Sequence, residues 1–191
     1  MSEMAWNASI DSVPRPGGVI CPDTAGMRAM ELRKTLSFAG SRSAVGEAFL
    51  GGAAVEFSEP LRSLRQALSR QTADFRVVKP WFGGGEGLTP AWDDLCTGVL
   101  LCDRFFARGL VAPASSFIAE LSGKTTIQSL WQLRFAETGR SSLVIERFLA
   151  SLATGPLKPS DAMRIAGLGH TSGNDILCGI CLWLEACASR S

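Results

Sequence analysis

The sequence is poor in charge and contains a single histidine, His170. Charged residues make up 19% of the chain and the net charge at pH 7 is +1, so no general attraction to nucleic acid or to an anionic membrane is expected. One histidine among many serines also gives no recognisable Ser/His/Asp grouping. These shortages argue against a nucleic-acid-binding protein, a membrane-surface protein and a hydrolase of the triad type.

Signals for export or for membrane insertion are also missing from the sequence. The first six residues lack the basic and apolar regions of a signal peptide. The longest apolar run, residues 176–184, is about half of the ~18 residues that suggest a membrane span. A soluble, cytoplasmic protein is therefore predicted.

Six cysteines are present, and most fall inside predicted apolar helices, where cysteine usually acts as a small, reduced core residue. Cys178 and Cys181 form a CxxC pair, a spacing that can bind zinc or perform redox chemistry. No second CxxC exists and only one histidine could join it. We therefore expect no metal and no cofactor.

Two glycine-rich stretches organise the chain, the first at residues 83–94 and the second at residues 167–175. Each precedes an apolar stretch, so each is interpreted as a loop that leads into a buried helix. Thr89 is a natural N-cap, Pro90 suits the first helical position, and Thr171 can cap the second helix. Free N–H groups and positive helix ends would then create an anion site, although neither loop is a Walker motif.

The remaining pattern predicts a mainly α fold. With 46% hydrophobic residues the chain can bury one sizeable core. We divide it into an N-terminal arm with a small α/β segment, residues 1–57, and a helical core, residues 58–191, which together form one continuous globular domain.

The arm is predicted to be irregular up to residue 26, with a short strand at residues 19–21 and a helix over 26–38. Residues 44–57 are compatible with either helix or strand. In the core, apolar spacing predicts helices that begin near residues 58, 95, 115, 125, 142, 159 and 176.

The two loop–helix units also read as a degenerate internal repeat. With one residue dropped, Asp94-x-x-x-Gly98 aligns with Asp175-x-x-x-Gly179. We predict a pseudo-symmetric pair with both loops at the same end of the molecule. The alternative is that Gly98 and Gly179 are merely helix–helix contact points and that the loops are ordinary tight turns.

Three ordered motifs carry a resemblance to a known family. The motifs are Gly85-x-Gly87-Leu88-Thr89-Pro90-x-x-Asp93-Asp94-x-x-x-Gly98, Thr125-Thr126-x-x-Ser129-x-x-x-Leu133-Arg134-x-Ala136-x-x-Gly139 and Gly169-His170-Thr171-Ser172-Gly173-x-Asp175-x-x-x-Gly179. Together they resemble the AllH-like family, whose namesake is a subunit of the oxamate carbamoyltransferase of anaerobic allantoin breakdown. The resemblance covers roughly residues 80–188, and the first sixty residues show no match. One departure stands out, because Ala91-Trp92 replaces the usual Ser-Gly of the family and a bulky Trp92 could fill space left for a ligand.

The resemblance implies a transfer in which oxalurate and phosphate give oxamate and carbamoyl phosphate. The partners it implies are a small anionic substrate, namely carbamoyl phosphate, oxamate or phosphate, and other transferase subunits. Loop N–H groups suit anionic oxygens, aspartates suit amide NH₂ groups, and a histidine can exchange protons. The predicted catalytic residues are His170, Asp94 and Asp175, and the predicted substrate-binding residues are Gly85, Gly87, Thr89, Asp93, Lys124, Arg134, Gly169, Thr171 and Ser172.

Two alternatives remain open at this level. Aspartates in the first turn of a helix stabilise its dipole without any ligand, and Arg134 could be an ordinary surface cation. The whole chain could likewise be a non-catalytic structural or regulatory subunit, whose apolar surface docks a partner and whose loops only shape that surface.

Overall fold

A computed structural model describes residues 20–52, 54–70 and 72–190 of the chain. Its main elements are nine α-helices in these residues: α1 (Pro22–Ser37), α2 (Ala44–Leu50), α3 (Ser58–Ser69), α4 (Ala91–Phe105), α5 (Ser115–Ala119), α6 (Ile127–Glu137), α7 (Leu143–Thr154), α8 (Pro159–Ala166) and α9 (Ser172–Ala188). Two 3-10 segments, Val55–Phe57 and Phe75–Trp81, precede α3 and the first glycine-rich loop respectively. The mainly helical prediction is confirmed.

The first helix starts earlier than the sequence suggested. It begins at Pro22, four residues before the predicted start, because proline fits the first turn and Asp23 places a negative charge at the positive helix end. Of the strand predicted at residues 19–21, Val19 lies outside the described residues. Ile20 and Cys21 do not form a strand.

The ambiguous region before residue 58 is helical rather than extended. The Ser43 side chain caps α2 by accepting a hydrogen bond from the Gly46 N–H at 3.0 Å, and Gly51 ends the helix with a φ of 88°. Of the two alternatives left open for residues 44–57, the strand is wrong for the described part, because α2 and the 3-10 turn Val55–Phe57 lie there. The described residues contain one isolated β-bridge, between Ala73 and Val111, and no longer strand.

Helices α4 and α9 form the centre of the fold. Their contact is the most extensive between any two elements, and α1 and α6 pack on either side of the pair. A Cβ added at Gly98 would lie 2.2 Å from the Ile176 carbonyl oxygen, and one at Gly179 would lie 2.0 Å from that of Leu95. The contacts are reciprocal, since each glycine meets the carbonyl three residues before the other. Glycine is therefore required at both positions for the backbones to approach so closely.

The two central helices run in the same direction. Residues near the start of α4 meet the start of α9, and near the other end the Trp183 indole N–H donates to Asp103 Oδ1 at 3.2 Å. The Asp103 carboxylate also accepts from the Leu110 and Val111 N–H groups at 2.7 and 3.1 Å. The buried Asp103 carboxylate thus stabilises the turn after α4. The parallel arrangement places both helix N-termini at one end.

The capping of the central helices differs from the prediction. Pro90, not Thr89, occupies the N-cap position of α4, and Ala91 is its first helical residue. Thr171 does occupy the N-cap position of α9, but its side chain forms no capping hydrogen bond among the described residues. The hydroxyl groups before these helices therefore have other partners. Within the same residues, every helix is too short or too polar to cross a bilayer.

Candidate functional site

A cavity of about 920 Å³ opens beside the N-terminal ends of α4 and α9. One wall is formed by the second glycine-rich loop and the start of α9, and the other by α6, the α6–α7 connection and the start of α7. The polar residues that line the cavity include Thr89, Thr97, Gln132, Arg140, Ser142 and Ser172. The apolar side chains of Phe135, Ile145 and Ile176 complete much of the remaining surface.

Three helix N-termini meet at this cavity. Thr89 precedes the N-cap of α4, Ser142 is the N-cap of α7 and Ser172 is the first residue of α9, and all three line the space. The first-turn N–H groups of a helix lack intrahelical partners, and the helix end carries a partial positive charge. The cavity therefore lies beside three positive helix ends, although the Trp92 and Gly173 N–H groups already donate to the Gly84 and Leu168 carbonyls. The predicted anion site included only the termini of α4 and α9.

The two glycine-rich loops meet through a pair of hydroxyl groups. Thr89 Oγ1 and Ser172 Oγ are 2.8 Å apart and share a hydrogen bond. Gly169, another predicted binding residue, also lines the cavity and has a φ of 66°. The pseudo-symmetry of the two loop–helix units stays a prediction.

Asp94 lies behind this hydroxyl pair and is fully buried. Neither carboxyl oxygen has a hydrogen-bond partner in the described residues. Burial raises the pKa of Asp94 from 3.8 to about 7, because a buried carboxylate loses its hydration; the hydroxyls of Ser172 and Thr89 oppose that rise, and the charge of Asp175 adds to it. At neutral pH this carboxyl group can both give and accept a proton.

Asp175, the equivalent residue of α9, is also fully buried. The Ser43 hydroxyl donates to its Oδ1 at 2.5 Å, while Oδ2 has no partner among the described residues. Burial raises the pKa of Asp175 from 3.8 to about 7, and the hydroxyls of Ser43 and Thr171 partly offset this effect. Asp175 does not line the cavity. Its hydrogen bond instead connects α9 to the start of α2.

Asp93 has a different set of contacts from its neighbour. Its Oδ1 accepts from the Gly83 N–H at 2.8 Å and its Oδ2 accepts from the Thr125 hydroxyl. Burial raises the pKa of Asp93, and the hydrogen bonds from Thr125 and Gly83 oppose the increase. Since both oxygens are used within the protein, Asp93 anchors the first glycine-rich loop to the segment before α6.

The other predicted site residues lie away from the cavity lining. His170 and Lys124 are exposed, and Arg134 is exposed with its guanidinium 5.3 Å from the Trp131 ring centroid. Three more predicted residues, Gly85, Gly87 and Thr171, are not among the lining residues either. The structure therefore brings Thr89, Gly169 and Ser172 together at the cavity, with Asp94 behind them.

Sequence reasoning missed the wall opposite the glycine-rich loops. Thr97 is 4% exposed, and its hydroxyl oxygen has no partner in the described chain, as is also true of Gln132 Oε1. On the wall that α6 and α7 form, Glu146 Oε1 accepts from Arg140 Nε at 3.1 Å and from the Ser141 N–H at 2.9 Å. One signal for this wall is visible in the sequence. Ser141 and Ser142 come shortly after Gly139 and immediately before an apolar run, a pattern that is typical of a helix start.

A family model described as the oxamate carbamoyltransferase subunit AllH matches residues 81–184, more than half of the chain. The chain belongs to the AllH family. The AllH match contains both glycine-rich loops, α4, α6 and α7, and thus all the cavity residues named above. No solved structure matches the chain.

The unusual tryptophan of this AllH chain belongs to the core. Trp92 is fully buried, and its ring stacks on that of Phe57 with a centroid distance of 6.1 Å. It does not line the cavity. Trp92 therefore fills space between α4 and the 3-10 turn before α3, and the described cavity is formed without it.

Proposed function

We propose that this AllH-family chain binds a small anionic amide in the cavity and takes part in carbamoyl transfer between phosphate and oxamate. The family name supplies the reaction class, and the cavity supplies a site of suitable chemistry. In this reaction a phosphate oxygen bonds to the carbamoyl carbon of oxalurate, and the bond from that carbon to the oxamate nitrogen breaks. The proton lost by the phosphate balances the proton gained by the nitrogen.

The buried carboxyl group of Asp94 carries the proposal. A group with a pKa of about 7 exists in both protonation states at neutral pH, which suits proton transfer to a departing nitrogen. The Thr89 and Ser172 hydroxyls line the cavity and are the polar neighbours of this carboxyl group. We assign Asp94 the role of proton donor and acceptor, with the hydroxyl pair as the connection between the carboxyl group and the substrate.

The N-termini of α4 and α9 would hold the phosphate or the developing negative charge. The positive ends of these helices are fixed in place, so their dipoles stabilise an anion with little rearrangement. This assignment keeps the predicted roles of Thr89, Gly169 and Ser172. It requires neither His170 nor Lys124, both of which are exposed.

Reconstitution of the enzyme tests this proposal. The chain is combined with its partner subunits, and phosphate-dependent breakdown of oxalurate is measured for wild type, for Asp94→Asn and for Asp161→Asn, a partly exposed aspartate in the first turn of α8. Asp94→Asn should lower the rate about a hundredfold, on the order of 3 kcal/mol in transition-state stabilisation. The Asp161→Asn control should retain the rate. Unchanged activity per folded Asp94→Asn molecule would refute the assignment.

One observation favours the alternative of a non-catalytic docking subunit. Ile127, Trp131 and Phe135 recur every four residues along α6, and each is more than half exposed, at 70%, 53% and 55%. Such a stripe suits an apolar surface of another transferase subunit. If this alternative is correct, Trp131→Ser will abolish assembly with the partners while Asp94→Asn leaves the reconstituted activity intact.

A further inference from the structure

We infer that the α7 wall of the cavity is a carboxylate subsite, which holds the oxamate end of the substrate while the carbamoyl end faces the Thr89–Ser172 hydroxyl pair in front of Asp94. The inference rests on the proposed function and extends it to the wall opposite the glycine-rich loops. Its components are the start of α7 and Gln132 of α6, which form this wall, together with Thr97 of α4, which lines the same cavity. These groups come from three different helices and line the same cavity.

The hydroxyl of Thr97 is the first observation. Thr97 is 4% exposed, lines the cavity and leaves its Oγ1 without a partner in the described residues. A buried hydroxyl is usually hydrogen-bonded, because burying it without a partner costs free energy. In a helix such a hydroxyl can donate to the carbonyl one turn earlier, but Thr97 does not do so here. A ligand oxygen in the cavity would satisfy it.

The start of α7 is the second observation. This helix has 12 residues, and its N-cap Ser142 forms no side-chain capping bond within the described chain. The Ser142 hydroxyl and the first-turn N–H groups of α7 therefore present donors beside the cavity. A carboxylate placed at this end would also gain from the helix dipole.

The charges on this wall favour a monoanion. Arg140 and Glu146 form an ion pair at 3.1 Å, and both line the cavity. Glu146 would repel a phosphate dianion more strongly than a single carboxylate at the same distance, since the Coulomb energy scales with the ligand charge. The C-terminal end of α6 at Thr138 adds a partial negative charge to the same wall. Phosphate is therefore expected at the α4 and α9 ends instead.

Gln132 makes the wall selective for a ligand that carries an amide group beside its carboxylate. Its Oε1 is buried without a partner in the part of the chain that the structure describes, and the side chain also carries an NH₂ group. Such a side chain can accept from the substrate amide and donate to an adjacent carbonyl oxygen. A planar α-oxo acid amide presents both kinds of group.

Binding of oxamate to the full chain, measured by titration calorimetry, tests the subsite independently of turnover. Oxamide, in which a neutral amide replaces the carboxylate, is the matched ligand and should bind at least tenfold more weakly than oxamate. Thr97→Val should lower oxamate affinity about tenfold, the usual effect of losing one hydrogen bond to a charged group, and Thr97→Ser should restore it. Thr154→Val is the control, because Thr154 at the end of α7 is not among the cavity-lining residues and its hydroxyl donates to the Ala150 carbonyl at 3.3 Å.

A second variant covers the case in which Thr97→Val fails to fold. Gln132→Glu keeps the size of the side chain and adds a negative charge, so it should weaken oxamate binding by tenfold or more while affecting oxamide less. The subsite is refuted if wild type binds no oxamate saturably, if oxamide binds equally well, or if both the Thr97 and Gln132 variants keep wild-type affinity. A chain that binds oxamate in a Thr97-dependent way but supports no transfer refutes the proposed function alone. A chain that supports transfer with unchanged oxamate binding in the variants refutes the subsite alone.

Discussion

The replacement of Asp94 by asparagine should change how stability depends on pH. In the folded chain the pKa of Asp94 is about 7, above its ordinary value of 3.8, so between these values the folded state holds a proton that the unfolded state has released. The free energy of unfolding is then highest below the lower value and falls as the pH rises, by about 1.4 kcal/mol per pH unit. Above the folded-state pKa the contribution is completely lost.

The size of this change in unfolding free energy follows from the difference between the folded-state and unfolded-state pKa values of Asp94. From about pH 5 to about pH 8 the wild-type chain should lose about 3 kcal/mol more stability than Asp94→Asn, which has no carboxyl group to ionise at this position. A new amide in the buried site adds a cost of its own, but that cost is the same at every pH. The diagnostic quantity is therefore the pH dependence of the difference in unfolding free energy between the two proteins, both of which retain Asp175.

Chemical denaturation measured by circular dichroism at several pH values provides the assay. Wild type, Asp94→Asn and the Asp161→Asn control are unfolded in urea from about pH 5 to about pH 8, and the unfolding free energies are compared at each pH. The Asp94→Asn curve should diverge upward from the wild-type curve as the pH increases. Parallel curves for these two proteins would mean that Asp94 is ionised throughout, and the argument from burial would be wrong.

The other structural predictions concern glycine packing and thiol access. Gly98→Ala and Gly179→Ala should each destabilise the fold by about 1 to 3 kcal/mol or more, because the new methyl group meets a backbone carbonyl of the facing helix, whereas Gly155→Ala, with open space around it, serves as the control in thermal unfolding. Wild-type stability in either helix variant would contradict the close backbone approach. Of the six cysteines, Cys21 is exposed and the others are buried, so a thiol reagent should label one thiol per native chain and six after denaturation. Rapid labelling of the folded Cys21→Ser variant would contradict the burial of the other thiols.

The presence of the core helices could be predicted because their apolar residues recur at clear helical spacing. The residues at which the helices begin could not, because local residue preferences do not determine them. The sequence contains Pro22 and Asp23 at the true start of α1, yet the glycines and prolines around them suggested an irregular arm. At α4, Thr89 has the chemistry of a cap, but its hydroxyl pairs with Ser172 across the two loops. The tertiary contact with Ser172 thus outweighed the local preference of Thr89 for the N-cap position.

The candidate site was predictable only in part, for a similar reason. Glycine-rich loops before apolar helices indicated Thr89, Gly169 and Ser172, since loop and helix start are adjacent in the sequence. The other polar groups that line the cavity include Thr97 in the middle of α4 and Gln132 in the middle of α6. Each of these looks like an ordinary polar residue until packing places both beside one cavity.

Adjacent aspartates in α4 provide the strongest argument that the site has a chemical role. Asp93 and Asp94 are both fully buried at the start of the same helix, so helix-dipole stabilisation and desolvation apply to both. Asp93 uses both oxygens to hold Gly83 and Thr125, which accounts for its presence on structural grounds alone. The Thr89 and Ser172 hydroxyls lie beside the Asp94 carboxyl group, but neither of its oxygens forms a hydrogen bond of normal geometry within the described residues, and a buried polar group that is poorly satisfied destabilises a fold. The structural contacts therefore account for the first aspartate but not for the second, and the proposed proton transfer to a ligand in the neighbouring cavity would account for a carboxyl group at that position.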